Sequence, residues 1–460
     1  MAGRTRSRWL TGLVGLGLLG LVGLSFGPAT AFLGLAGALD RVTGASAPPA
    51  GASGAPGSPA ISTGPGSSPA WSPTVVPGSS SPGVSVAPSP FPERPPRPLL
   101  GPRTLDRARL VRLVEDFRRR TGSPGLSVAV RWPDGTAWTI TSGLADLATG
   151  RPVTAATPFA IASVTKTFTA ALVLRLVGEG RIGLDDPVGP WLPDLDLPAG
   201  ITVRMLLDHT SGLGDPFLEG AVDRELLADR SAVWTAGRFL AALPKPRFAP
   251  GRGWAYSNAN YVVLGLLVER LTGRPYAALL RSTFFEPLGL STAIVQPGRP
   301  GAVAPAHGYR LVKSGNGLRR TDLSDGSPTA PFTSVVTAAG AAGNVAMGAL
   351  DLARWGAALY GGGLLRPDLL AAMVEDASRT APLRPKVPYG LGVQVVEIAG
   401  QPTLGHSGRF LGARAVLRYL VRSGITIAVL SNQSRSDIAP LVDGIVRLVL
   451  PPPVGCGRCG

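Results

Sequence analysis

FAIASVTKTFTAALVLRLV, residues 159–177, places Ser163 just ahead of a segment, Thr165 to Val177, whose Phe168, Leu172 and Leu176 recur at helical spacing. Ser163 and Lys166 are three residues apart, so on a helix they share a face. A serine at the mouth of that helix sits at the positive end of its dipole, where a developing negative oxygen is favoured. A hydroxyl is a weak nucleophile until a neighbouring base takes its proton. Lysine can do this once burial lowers its pKa, whereas arginine stays charged. The chain has 45 basic residues, of which only Lys166, Lys245, Lys313 and Lys386 are lysines, so a lysine at this position is informative. The alternative is a helix N-cap serine followed by a surface lysine, and the tetrapeptide alone does not exclude it.

Outward from this segment, Leu105 to Arg119 has helical spacing through Leu110, Leu113, Val114 and Phe117. Leu126 to Arg131 reads as a strand, Pro133-Asp134-Gly135 as a turn, and Thr136 to Ser142 as a second strand. Near the other end, Gly390 to Ile398, Gly412 to Leu420 and Gly424 to Leu430 read as three strands, followed by an apolar helix from about Ile438 to Leu450. Strands at both ends with helices between predict an α/β protein of the α+β type. One antiparallel sheet is closed by distant segments and flanked by helices, and an inserted all-helical lobe leaves a cleft beside it.

Two further clusters carry polar groups suited to that cleft. Tyr256-Ser257-Asn258 lies between a Pro/Gly loop and an apolar helix, Tyr261 to Leu271. In an extended loop Tyr256 and Asn258 point the same way. A phenol can relay a proton and a carboxamide can hold a substrate carbonyl. Ser257 or Asn258 serving only as a helix cap is the alternative. Gly405-His406-Ser407-Gly408-Arg409 precedes the second C-terminal strand. His406 is expected to face Lys166 across the cleft, and Gly408 to let a substrate backbone approach the strand edge. Ser407 is not the nucleophile of a G-x-S-x-G elbow, because Arg409 stands where the second glycine belongs.

S-x-x-K, Y-S-N and H-S-G in this order resemble the penicillin-recognising serine hydrolases. Within them, residues 104–450 resemble the group of class C β-lactamases, D-alanyl-D-alanine carboxypeptidases and esterases. GRIGLDDPVGPWLPDLDLP (180–198), ITVRMLLDHTSGL (201–213) and PGRGWAYSNANYVVLG (250–265) carry the likeness between motifs. The resemblance implies a β-lactamase/transpeptidase-like fold and an acyl-enzyme mechanism on amide or ester bonds. Ser163 matches the nucleophile, Lys166 and Tyr256 the proton-transfer pair, and Asn258 the substrate-amide contact. His406 stands where many relatives have lysine and the peptidase branch has histidine. Ser407, Gly408 and Arg409 complete the substrate-binding strand, with the backbone N–H groups of Ser163 and Arg409 matching the oxyanion hole. The substrate is a small molecule or peptide: a D-amino-acid peptide, an ester or a β-lactam. The resemblance implies no metal and no organic cofactor. A protein that binds β-lactam or peptidoglycan without turnover, as a sensor on the same scaffold, is the rival, although a binder does not need Ser163, Lys166 and Tyr256 together.

Composition bounds the rest. The 460 residues carry a formal net charge of +16, but the arginines are spread along the chain without a dense run. Arginine usage explains the charge, and no nucleic-acid partner is expected. His209, His307 and His406 lie about a hundred residues apart and exclude H-E-x-x-H metal sites. His209 reads as structural and His307 as incidental. Arg4, Arg6 and Arg8 followed by an uncharged run from Trp9 to Leu39 read as a signal peptide or membrane anchor over residues 1–41. The domain is therefore expected to be exported, and either secreted or anchored at the outer face of the cytoplasmic membrane. Association with the membrane or cell wall would follow. Residues 42–102, rich in Pro, Ser, Gly and Ala, are expected to form a disordered tether. Residues 103–450 form the hydrolase domain and 451–460 a flexible tail. In that tail Cys456 and Cys459 make a disulfide or two free thiols rather than a redox or zinc centre.

Overall fold

A computed structural model describes residues 106–298, 302–314 and 317–450. The expected signal or anchor, the tether and the Cys456/Cys459 tail lie outside the described residues. Among the described residues no helix is long and apolar enough to cross a membrane. The described strands are β1 (Gly125–Arg131), β2 (Ala137–Asp146), β3 (Arg151–Pro152), β4 (Phe159–Ala160), β5 (Ile294–Val295) and β6 (Tyr309–Ser314). They continue with β7 (Gly317–Asp322), β8 (Val345–Met347), β9 (Gln394–Ile398), β10 (Gln401–Phe410), β11 (Ala413–Leu420) and β12 (Thr426–Ser431). The longer helices are α1 (Arg107–Thr121), α2 (Thr165–Gly178), α3 (Asn258–Thr272), α4 (Ala349–Tyr360), α5 (Pro367–Thr380) and α6 (Ala439–Val449).

Seven strands form one antiparallel sheet in the order β3-β2-β1-β12-β11-β10-β9. Its two halves come from opposite ends of the domain and join where β1 meets β12, from Leu126 opposite Ser431 to Arg131 opposite Thr426. Both strands are apolar runs buried on both faces, as expected for a sheet with a layer on each side. On the back, Leu110, Val114 and Phe117 of α1 and Leu441, Ile445 and Val449 of α6 pack on Val128, Val130, Ile427 and Val429. On the front, the segment between β3 and β9 builds the larger core around α2. α2 is buried on almost every side, so its composition is apolar all round rather than striped. Trp355 of α4 stacks on Phe168 at 3.8 Å, and its indole N–H donates to Thr167 Oγ1 at 2.8 Å.

Two expectations need correction. The insert is not all helical: it carries a three-stranded sheet, β4-β8-β5, and the β6–β7 hairpin. The strands β4, β5 and β8, of two or three residues, are too short for alternation to reveal. The C-terminal half contributes four strands rather than three, because Gln401–Phe410 is itself a strand. Pro402, Gly405 and Gly408 mask its pattern, since both residue types weaken a strand signal. His406, Ser407 and Gly408 therefore lie within a strand of their own, β10, which precedes β11 as expected.

Candidate active site

The chain reaches Ser163 from β4 through a tight turn, Ala162–Val164, that runs directly into α2. Ala162 adopts φ 48°, a left-handed conformation unusual for a residue with a side chain. Such strain costs on the order of 1–3 kcal/mol and persists only where the surroundings enforce it. The enforcing neighbour here is β10. A Cβ on Gly408 would sit 2.1 Å from Ile161 O and 3.2 Å from Ser163 N. The glycine therefore admits the protein's own turn, where a substrate backbone had been expected.

Lys166 is fully buried, with its ammonium nitrogen 3.3 Å from Ser163 Oγ. Nζ also donates to Asn258 Oδ1 and to Ala342 O, both at 2.8 Å. Burial pushes the lysine pKa down to about 7, opposed by the charge of Asp215. A neutral amine has two hydrogens and one lone pair. The two carbonyl acceptors use both hydrogens, which turns the lone pair toward Ser163. The segment carrying Ala342 is fixed to α2, because Thr169 Oγ1 donates to Ala341 O at 2.7 Å and Val345 N donates to Thr165 Oγ1 at 3.2 Å.

Asn258 is the first residue of α3, not part of an extended loop, and it is 2% exposed. Its carboxamide bridges two buried groups: Oδ1 accepts from Lys166, and Nδ2 donates to Asp215 Oδ2 at 2.8 Å. Both ends are thus engaged inside the protein. Asp215 also accepts from the backbone N–H of Asn258, at 2.6 Å, and of Phe217, at 2.9 Å. Burial raises its pKa, and those N–H groups hold it back. Sequence inspection missed Asp215, because a single aspartate in a Gly-Leu-Gly-Asp-Pro loop carries no spacing signal.

Tyr256 OH donates to Ser163 Oγ at 2.9 Å. Burial raises the phenol pKa well above its usual value, so it is protonated around neutral pH. Lys166 Nζ lies 5.0 Å from the centre of the Tyr256 ring. The wall behind this ring is His209, whose imidazole lies 4.3 Å away, centre to centre. His209 has φ 66°, is fully buried, and accepts at Nδ1 from Ser257 N at 3.2 Å. Asn260 Nδ2 lies 3.0 Å from the same nitrogen. His209 thus packs against Tyr256 and bonds the backbone beside it. Desolvation pushes its pKa well below the usual range, so it is neutral.

Along β10, side chains alternate between the two faces of the sheet. His406 and Gly408 face the insert, while Ser407 and Arg409 face α6 and line a cavity there with Val416 and Val442. The side chains of Ser407 and Arg409 therefore lie on the opposite face from Ser163, and Ser407 Oγ accepts from Gln394 Nε2 at 3.2 Å. His406 is fully buried. Its Nδ1 lies 2.6 Å from Ser407 O and its Nε2 2.9 Å from Tyr389 OH. Nδ1 must donate to the carbonyl, so Nε2 accepts the Tyr389 proton. Burial, with the Lys166 charge adding to it, pushes His406 down to about 3. His406 is thus a neutral link to Tyr389 and not a cation facing the cleft. His307, read as incidental, is instead engaged: its Nδ1 is 2.9 Å from Asp322 Oδ2 and 3.7 Å from Asp146 Oδ1, linking β7 to β2.

The sequence profile of the Beta-lactamase family matches residues 110–449, about three quarters of the chain. The chain belongs to the beta-lactamase family. Penicillin-binding protein 4 of Amycolatopsis lactamdurans is 29% identical over 348 residues, covering 71% of this chain and 86% of its own length. Esterase EstB of Burkholderia gladioli is 45% identical over 162 residues, which span 32% of this chain but only 41% of the esterase. A D-stereospecific amidohydrolase from Streptomyces sp. superimposes with a TM-score of 0.61 at 29% identity, over 74% of this chain and 98% of its own. The expected β-lactamase/transpeptidase-like fold, an antiparallel sheet flanked by helices, is therefore correct, and the protein is a beta-lactamase-fold serine hydrolase.

Proposed function

We propose that this hydrolase cleaves the amide or ester bond of D-amino-acid peptides, D-amino-acid amides or small esters through an acyl-enzyme on Ser163. The observation that carries this reading is the convergence on Ser163 Oγ of a near-neutral lysine at 3.3 Å and a protonated tyrosine at 2.9 Å. Neutral Lys166 takes the Ser163 proton as Oγ attacks the carbonyl carbon. Asn258 Oδ1 and Ala342 O then stabilise the ammonium, with the Asp215 charge behind them. Tyr256, whose phenol stays protonated in the resting enzyme, passes a proton to the leaving nitrogen or oxygen and regains one from Lys166. Water attacks the resulting ester by the same groups in reverse. The oxyanion is assigned to the backbone N–H groups of Ser163 and Arg409, a contribution of roughly 3–4 kcal/mol in sites of this kind.

Neutral His406 disfavours a β-lactam as the turnover substrate, because it offers no cation for the carboxylate of that ring system. The names of the amidohydrolase and esterase relatives support the D-amino-acid and ester alternatives. A panel of p-nitrophenyl esters, D-alanyl-D-alanine peptides, D-amino-acid amides and a chromogenic β-lactam tests the assignment. Turnover of at least one of the first three, faster than of the β-lactam, is expected; rapid β-lactam hydrolysis alone contradicts it. Export is part of the same proposal and rests on the arginine-flanked uncharged run at residues 4–39. Fusing residues 1–41 to a reporter active only outside the cytoplasm tests it, with activity expected.

A further inference from the structure

The back of β10 holds a second buried cation that the acyl-transfer reading does not use. Between β10, β11 and α6 lies a cavity of about 40 Å³ lined by Ser407, Arg409, Arg414 and Arg418. That is room for a few water molecules or one small polyatomic ion. Arg418 is 2% exposed and crosses the space left by Gly405, where a Cβ would lie 3.1 Å from its Nη1. Nη1 donates to Leu417 O at 3.0 Å and Nη2 to Gln394 Oε1 at 2.9 Å, both uncharged acceptors. Its Nε–H is buried with no partner among the described residues. A buried guanidinium without a counterion is expensive, and an unmade hydrogen bond adds to the cost. Its neighbours do not relieve it. Burial and then the charge of Arg414 depress the Arg409 pKa; burial depresses that of Arg414, opposed by the charge of Asp437, and Arg414 Nε donates to Ser434 O at 2.9 Å. The one carboxylate on the cavity wall, Asp437, accepts from Ala439 N at the start of α6, at 3.1 Å. Arg409, Arg414 and Arg418 thus line one small space, with a single carboxylate among its lining residues.

We propose that this cavity binds a small oxyanion, a carboxylate or inorganic phosphate, through Arg418 Nε and the guanidinium groups of Arg409 and Arg414. β9 pairs with β10 only from Gln401 to Gly405, so the edge of β10 from His406 to Phe410 runs past the end of its neighbour. The oxyanion is therefore either a free ion or the charged arm of a substrate reaching round that edge. The test is thermal unfolding of the full chain at constant ionic strength, with chloride replaced stepwise by acetate or phosphate. A saturable rise of about 2–5 °C is expected at ligand well above its dissociation constant. It should be lost in Arg418→Gln and reduced in Arg414→Gln. Because Arg418 also braces Gln394, the Arg414→Gln protein decides the matter should the first variant fail to fold. Absence of a rise, or the same rise in wild type and Arg414→Gln, overturns the proposal. Turnover of two p-nitrophenyl esters, one with a neutral acyl chain and one ending in a carboxylate, separates the sources. Acetate raising KM only for the second identifies a substrate arm; the same change for both identifies a free anion.

Discussion

Two cations are buried on opposite sides of one strand, and the protein treats them differently. Lys166, in front of β10, is surrounded by neutral acceptors and has its pKa brought down to about 7, so it can shed its charge. Arg418, behind β10, is surrounded by neutral acceptors too, yet burial lowers its pKa only to about 10, so its charge stays. The same desolvation yields a base from one side chain and an unmet demand for an anion from the other. In a chain with 41 arginines and four lysines, the lysine at position 166 is explained by this difference.

The largest expected effect comes from removing the hydroxyl that Lys166 activates. Ser163→Ala should abolish labelling by a fluorescent phosphonate and lower kcat/KM by roughly 10⁴-fold or more. Labelling that persists in that variant would place the nucleophile elsewhere. Lys166→Arg keeps the charge and loses the lone pair, so kcat/KM should fall by about 10³-fold with the fold retained, as checked by circular dichroism. Tyr256→Phe should cost about 10²-fold in kcat, more for amides than for activated esters, because a p-nitrophenolate leaves without a proton. Equal losses on both substrates would remove Tyr256 from the leaving-group step.

The parts of this arrangement visible in sequence were those with spacing. Ser163 and Lys166 lie three apart at the start of a helix, and the strands at either end alternate or run apolar. Hidden parts depended on contacts between distant segments. Asp215 reaches Lys166 only through Asn258, and Ala342 contributes a backbone carbonyl, which no side-chain pattern can announce. β10 carries no clear strand pattern, because the glycine that lets the Ser163 turn approach it also interrupts that pattern. A site built by close backbone approach is poorly written in side-chain periodicity.

That close approach gives the next prediction. Gly408→Ala drives a methyl group into Ile161 O, so stability should fall by about 3 kcal/mol in urea unfolding, with activity lost. Wild-type stability with unchanged activity would show that the turn and the strand are not in contact.

The smallest effect concerns the buried histidines. His406 is held at about 3, while in the unfolded chain it takes a proton near pH 6.5. Between those values the unfolded state binds more protons, so stability rises with pH there and is lost as pH falls from 6.5 toward 3. The slope is about 1.4 kcal/mol per pH unit for each such group. Buried His209 contributes in the same direction. His406→Gln should flatten the dependence between pH 7 and 5, measured by urea unfolding at both; an unchanged slope would mean His406 is protonated in the folded state.

The mechanism depends on a lysine that is largely uncharged above neutral pH and abstracts the Ser163 proton. The pH dependence of kcat/KM for a p-nitrophenyl ester from pH 5 to 10 measures this directly. A rise governed by one ionisation near pH 7, followed by a plateau, is the predicted result. A profile that is flat through pH 7, or that rises only near pH 10, would contradict it.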